Sequence, residues 1–284
     1  MNTSIGLLVV IGACAAGFVL SGGHLLALFQ PYEFLIIGGA AFGAMVMSNP
    51  ISITIGIIKS TATLFKKSPY TKELYLELLA MLYAIFNVIR KDGVLGIEKH
   101  IDDPDESPLF SEYPMVDQIH GARQFIIDYL RVMTLGGIST HDLDALFEAE
   151  LETHHEESHQ IPGALTKVAD GLPGFGIVAA VMGIVITMGH IGGPPEELGH
   201  HVAAALVGTF LGILLSYGVV GPMAAYLEHI TKEEGNFFLC IKTAMMANFS
   251  GSPPTVAIEF GRKVLFHEMR PGFEEVEERV RGPR

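Results

Sequence analysis

Between Gly171 and Pro195, and again between Leu198 and Leu227, the chain carries no Asp, Glu, Lys or Arg. A bilayer core is crossed by roughly 20 apolar residues of α-helix, so each stretch is long enough to span it. The N-terminal region repeats the pattern, with no such charge before Glu33 and none between Glu33 and Lys59. Four spans are predicted, near 4–22, 32–50, 171–191 and 199–226. The composition agrees: 49% of residues are hydrophobic and mean hydropathy is +0.40. That describes a polytopic membrane protein with sizeable polar parts, not an ordinary soluble domain.

The basic residues set the orientation. All 18 Lys and Arg fall in 59–131, at Lys167 and in 232–284, while the short loops near 22–31 and 191–198 have none. The excess of Lys and Arg on the cytoplasmic side of membrane proteins places 51–169, the tail and both termini in the cytoplasm. The first segment lacks a basic leader and an A-x-A-like cleavage site, so it reads as a retained span. Cys14 and Cys240 sit in a span and in the tail, which argues against a disulfide framework. The net charge of −13 is almost wholly cytoplasmic. It argues against nucleic acid and against docking on anionic lipid.

The polar regions read as helical, so the fold class is all-α. Leu74, Leu78, Met81, Leu82, Ile85 and Ile89 recur at helical spacing between Tyr70 and Arg90, with Gly93 and Gly96 as stops. A second helix is expected over 114–134, with Met115, Ile119, Ala122, Phe125, Ile126 and Leu130 inward. Ser139 and Asp142 resemble a capping box opening a third over 140–158. The tail suggests a helix near 229–249 and a charged segment, "EEVEERVR", at 274–281. The expected order is thus 1–50 (spans one and two), 51–169 (cytoplasmic domain), 170–227 (spans three and four) and 228–284 (cytoplasmic tail).

Small residues recur four apart on the third and fourth spans: Gly176 with Ala180, Ala179 with Gly183, then Gly208, Gly212 and Ser216. Such faces let helix backbones approach closely in lipid, within one chain or between copies. Pro173 and Pro222 fall at the cytoplasmic ends of these spans, at similar depth, and each removes a backbone donor. Pro173 also reads as an ordinary first-turn proline. Pro222 reads as a hinge or hydrated vestibule, because the apolar run continues past it. A transported proton or ion normally needs a titratable group partway across. From Gly171 to Leu227 the only acids are Glu196 and Glu197, in the outer turn with His190, His200 and His201. Only Thr187, Thr209, Ser216 and Tyr217 supply polar atoms within the spans. A conducting role would therefore need a carrier from another chain.

Several motifs carry a family resemblance across essentially the whole chain. "GLPGFGIVAAVMGIV", "ELGHHVAAALVGTFLGILLSYGVVGP", "PPTVAIEFGRK", "SGGHLLALFQPYEFLIIGGA" and "YTKELYLELLAMLYAIFNVIRKDG" resemble the MotA family of flagellar motor stator proteins. The resemblance implies a ring, a pentamer, around a MotB dimer that supplies the ion-binding aspartate and grips peptidoglycan in the periplasm. It also implies a cytoplasmic push on the rotor protein FliG and residence in the inner membrane. Pro173 and Pro222 match the family's functional prolines, and Asp170 an acid at the inner mouth. Arg90, Glu98 and Glu150 match positions that act on FliG through charge. Sodium-using relatives carry Thr where this chain has Ala180 and Gly208, while Thr209 is common to both types. Losing hard oxygen ligands disfavours Na⁺ and favours H⁺. The implied ion path therefore takes in Asp170, Pro173, Ala180, Thr209, Tyr217 and Pro222, with Gly176, Gly183, Gly208 and Gly212 packing the helices.

Taken singly, these residues have plainer readings. Asp170 reads also as an N-cap of the third span, and Arg90 as a dipole partner at its helix end. Glu98 and Glu150 read as solvated charges, and Thr209 as bonding back to its own helix. His154, His155 and His159 invite a metal reading, with His155 and His159 one turn apart, but no third ligand for that pair is evident, so no metal is expected, nor any cofactor or catalytic residue; the chain reads as non-enzymatic. An energiser of the ExbB or TolQ type has three spans, not four. A secondary metal transporter predicts a polar midplane cluster that is missing here.

Overall fold

The computed structural model describes residues 2–64 and 67–281. The side chains of Asn2, Ala62, Thr63, Glu197 and His200 lie outside the described set. In chain order the helices are α1 (Asn2–Leu20), α2 (Pro31–Ser48), α3 (Ile51–Thr63), α4 (Lys72–Asp92) and α5 (Glu98–Asp102). The short α6 (Pro108–Ser111) and α7 (Pro114–Asp117) precede α8 (Ala122–Leu135) and the 50-residue α9 (Thr140–Gly189). The chain ends with α10 (Pro195–Leu215), α11 (Gly221–Phe249), α12 (Pro254–Lys263) and α13 (Phe273–Arg281). The fold is all-α, with no strand among the described residues. Four segments are long and apolar enough to cross a membrane, within α1, Leu25–Ser48, α9 and His201–Phe249.

Two sequence expectations are corrected by α9. The helix expected over 140–158 and the third span are one continuous helix, with Pro162 and Pro173 inside it. Polarity changes near Asp170, but helix continuity depends on backbone bonding, and a proline in mid-helix removes only one of those bonds. Asp170 therefore has no free amides to cap, and Pro173 is not a first-turn proline. The start lies at Ser139, whose hydroxyl accepts from the Asp142 amide (3.1 Å) and donates to its carboxylate (2.7 Å). The expected helix over 114–134 is broken at Gly121, whose φ of 78° suits glycine and ends the turn before α8. Residues 51–63, left unassigned by the sequence pattern, form α3.

The chain divides into two compact units, one of residues 1–67 and 158–229, the other of 68–157 and 230–284. The first unit holds the apolar helices. Ile37, Ala41, Leu172, Ala179, Val207 and Leu211 form one buried cluster. Met45, Ile57, Leu64, Ala164, Leu165, Ala224 and Leu227 form another. Residues 51–64 and 158–169 thus fall in the same unit as the spans.

The second unit has a conventional core of α4, α8, α12, α13 and the polar parts of α9 and α11. Tyr75, Phe86, Tyr129, Phe147 and Phe237 are fully buried in it. Tyr129 and Phe147 stack with ring centroids 3.4 Å apart. Thr71 caps α4 by accepting from the Leu74 amide, and buried Glu77 accepts from the Met115 and Val116 amides at the start of α7. Lys242, whose side chain is 8% exposed, pairs with Asp144 (2.9 Å) and with Glu148. Burial alone would pull its ammonium down; the bonds to Glu148 and Asp144 outweigh that and hold it above its ordinary value.

Candidate ion-path wall and its supporting residues

Within the first unit, α9 and α10 meet along glycine. A β-carbon placed on Gly176 would lie 2.8 Å from the Gly208 carbonyl and 3.0 Å from the Gly212 Cα. One on Gly212 would lie 2.7 Å from the Leu172 carbonyl, and one on Gly183 2.9 Å from the Ala205 methyl. The four glycines are thus occupied within one chain, where they bring two backbones together. Contacts between copies must then use other residues.

The opposite faces are bare. On α9, Asp170, Gly174, Ile177, Val181, Val185 and Met188 are all exposed and recur at three- or four-residue steps, a single stripe. On α10 and just beyond it Leu206, Ile213 and Tyr217 are exposed, Tyr217 to 74%. Ala180 is buried, Pro173 and Thr209 are half-buried, and Pro222 is exposed. Apart from Asp170 at its N-terminal end, the stripe is apolar and without charge.

The fourth span contains a feature that the residue pattern missed. Residues Ser216–Val220 form a π-turn in which the Gly221 amide bonds the Ser216 carbonyl, five residues back. A proline ring clashes with the carbonyl four residues before it in an α-helix. For Pro222 that residue is Gly218, inside the widened turn. Such turns relieve the clash and loosen the helix locally. Gly218 also admits α1, with Val10 2.9 Å from where its β-carbon would be. A cavity of about 300 Å³ opens here, lined by Thr3, Gly6, Val10, Gly218, Pro222 and Tyr226.

The contacts also correct the depth of the prolines. Gly183 meets Ala205, Gly176 meets Gly212, and Ala164 and Leu165 cluster with Ala224 and Leu227. Carried along, this antiparallel register sets Asp170 and Pro173 beside the π-turn and Tyr217. Pro222 falls opposite the neighbourhood of Thr166. At 1.5 Å per residue the two prolines are about 10 Å apart along the axis, not level.

A second missed feature is Glu33. It lies in the first turn of α2, 7% exposed, and its Oε2 is buried without a hydrogen-bond partner among the described residues. That oxygen lies 2.8 Å from where a β-carbon on Gly208 would stand, and the Ala179 methyl and Ala180 amide nitrogen lie 3.2 Å from the same point. An ionised carboxylate so placed costs several kcal/mol. Its position in the first turn of α2 offsets at most about 1 kcal/mol of that. The signal available in the sequence was Glu33's isolation as the sole charge before Lys59, two residues after Pro31 at the start of a span.

In the second unit, Arg90 occupies the last turn of α4 and Glu98 opens α5, separated by a tight turn over Val94–Ile97; both side chains are exposed. Glu150 is exposed on α9. Burial, together with the Glu150 carboxylate beside its hydroxyl, pushes the Tyr129 phenol well above its ordinary value. Among the described contacts, none joins Glu150 to Arg90 or Glu98. His154 pairs with Glu234 at 3.5 Å and lies against Phe238, and the bond to Glu234 outweighs burial in raising its imidazole above the usual range.

Known proteins match this arrangement over its whole length. Residues 4–93 match the Motility protein A N-terminal family, and residues 119–238 the MotA/TolQ/ExbB proton channel family. Motility protein A of Salmonella typhimurium is 43% identical over 280 residues, covering 99% of this chain and 95% of its own. That of Escherichia coli is 42% identical over 277 residues, covering 98% and 94%. The flagellar MotAB stator complex from Bacillus subtilis contains a chain that superimposes with a TM-score of 0.73 at 26% identity, covering 93% of this chain and 94% of that one. Four segments long and apolar enough to span, together with the proton channel family match and the shared fold, make this a multi-pass membrane protein. The chain belongs to the motility protein A family, within the MotA/TolQ/ExbB proton channel family.

Proposed function

We infer that this chain is an ion-coupled stator subunit of a flagellar motor. The observation that carries the reading is the bare apolar stripe of α9, uncharged from Gly174 to Met188, in a chain related over nearly its full length to flagellar motility proteins. A stripe of this kind needs a neighbour to cover it, and an ion path along it needs a carboxylate from that neighbour. A single-span MotB-type subunit anchored to peptidoglycan meets both needs. Copies of this chain, five in the ring, surround the partner in the inner membrane, with both termini cytoplasmic.

The transported ion is a proton, since Ala180 and Gly208 offer no hydroxyl to a partly dehydrated sodium ion. Protonation removes the charge from the partner's aspartate and lets it rest against the α9 stripe. Release near Asp170, Pro173 and Tyr217 restores the charge and moves the ring. The π-turn before Pro222 is the compliant point of the fourth span, and Thr209 faces the same path. Each charge crossing about 100 mV supplies about 2.3 kcal/mol, enough for several ions to drive a protein-scale step. Arg90, Glu98 and Glu150 transmit that step to a FliG-type rotor protein through charge.

The test reconstitutes the chain in liposomes with and without its partner. Proton flux is expected only when both are present; robust current from this chain alone sinks the reading. In cells lacking their own stator, the pair should restore swimming, and Arg90→Glu should impair it without altering membrane insertion.

A further inference from the structure

We propose that Glu33 is a proton-binding site of this chain's own, housed at the junction of α2, α9 and α10 in space that Gly208 leaves open. The site is built by tertiary packing. Its oxygen is buried, partnerless among the described residues, and lies against Gly208 of α10, where a side chain would collide with it. Even an alanine methyl at residue 208 would stand 2.8 Å from Oε2. Gly208 is therefore more than a helix-packing glycine: its bare backbone makes room for a carboxyl.

The surroundings select the occupant. The other atoms nearest a β-carbon at Gly208 are the Ala179 methyl and the Ala180 amide nitrogen, both 3.2 Å away. A metal cation such as sodium needs several oxygen ligands, and Gly208 and Ala180 bring no side-chain oxygen. A proton needs only the carboxyl itself. Among the described contacts, none brings an opposite charge to Oε2. Beyond Asp170, α9 carries no charged side chain, and those of α10, with its two histidines, lie in its first two turns, two turns or more before Gly208. In α2 itself Glu33 is the only charged residue; Lys59 lies towards the end of α3, and α1 holds no charge at all. His24 and Tyr32 are the nearest titratable groups in sequence, and Tyr32 is largely exposed.

That Glu33 holds a proton stands on this packing alone. That it loads and unloads in step with ion flow, as an acid additional to the partner's aspartate, rests on the stator reading. The two are separable by experiment. In the full complex in liposomes, infrared difference spectra between wild type and Glu33→Gln at neutral pH should show the carbonyl band of a protonated carboxyl in apolar surroundings. The band should be lost completely in the variant and unmoved when potassium is replaced by sodium. Absence of the band in wild type, or its disappearance on adding sodium, overturns the proposal. Should Glu33→Gln fail to assemble, a hydrophobic carbodiimide applied to the wild-type complex reads the same group. An adduct mapped to Glu33 by peptide mass supports the site, and its absence while other carboxyls react counts against it. The band is read without swimming or ion flow, so its loss leaves the stator reading standing, and a failure of partner-dependent flux leaves the proton site standing.

Discussion

Gly176→Ala is expected to destabilise the span-bearing unit and abolish swimming, whereas Gly163→Ala, on the same helix, is expected to be silent or mildly stabilising. The two substitutions add the same methyl. At Gly176 it meets the Gly208 carbonyl at 2.8 Å and the Gly212 Cα at 3.0 Å. Both obstacles are backbone, so relief requires α9 and α10 to separate along the whole of their contact. Overpacking of this kind costs about 1–3 kcal/mol, and rigid obstacles place it at the upper end. At Gly163 nothing lies within 4 Å of the new methyl, and replacing a mid-helix glycine gains roughly 0.5–1 kcal/mol. Thermal unfolding of the detergent-purified chain and swimming in a stator-deficient host measure both. Equal melting temperatures for the two variants would show that α9 and α10 do not approach this closely.

The second large effect concerns the core of the second unit. Asp144→Asn with Glu148→Gln should loosen the α9–α11 packing far more than Lys242→Met does. The two acids are half or more exposed, at 50% and 67%, while the lysine side chain is 8% exposed. Removing the lysine leaves acids that water can solvate. Removing the acids strands a buried ammonium, for which the full cost of about 3–5 kcal/mol is reduced to about 2 kcal/mol by the solvent around the pair. That corresponds to roughly a thirtyfold rise in local opening, read as faster amide exchange in α11 around Lys242. Adding Lys242→Met to the double variant should restore slow exchange. Failure of that rescue would assign the effect to the acids themselves and not to the stranded charge.

Much of this fold was legible in residue order. Four charge-free runs became four apolar helices, and the helical spacing from Leu74 to Ile85 became the buried face of α4. The capping box at Ser139 was real. What misled was the use of hydropathy as a proxy for helix ends. Polarity changes at Asp170 and again after Leu227, yet both helices continue, because backbone bonding is indifferent to the change of solvent along it. Gly121 failed to announce itself because a glycine's φ is set by its surroundings.

For the candidate site the division runs along a different line. Residue inventory alone established that the third and fourth spans hold no acid of their own, and the quoted motifs pointed to the family in which a partner supplies one. Which side of each helix is bare, which glycines are spent inside the chain, and how Pro173 and Pro222 are staggered depended on helix register, a property of two segments at once. Glu33 is the sharpest case. In the linear chain it is an ordinary acid at the start of a helix. Only the folding of α2 against α9 and α10 removes it from water and leaves its oxygen facing the backbone of Gly208.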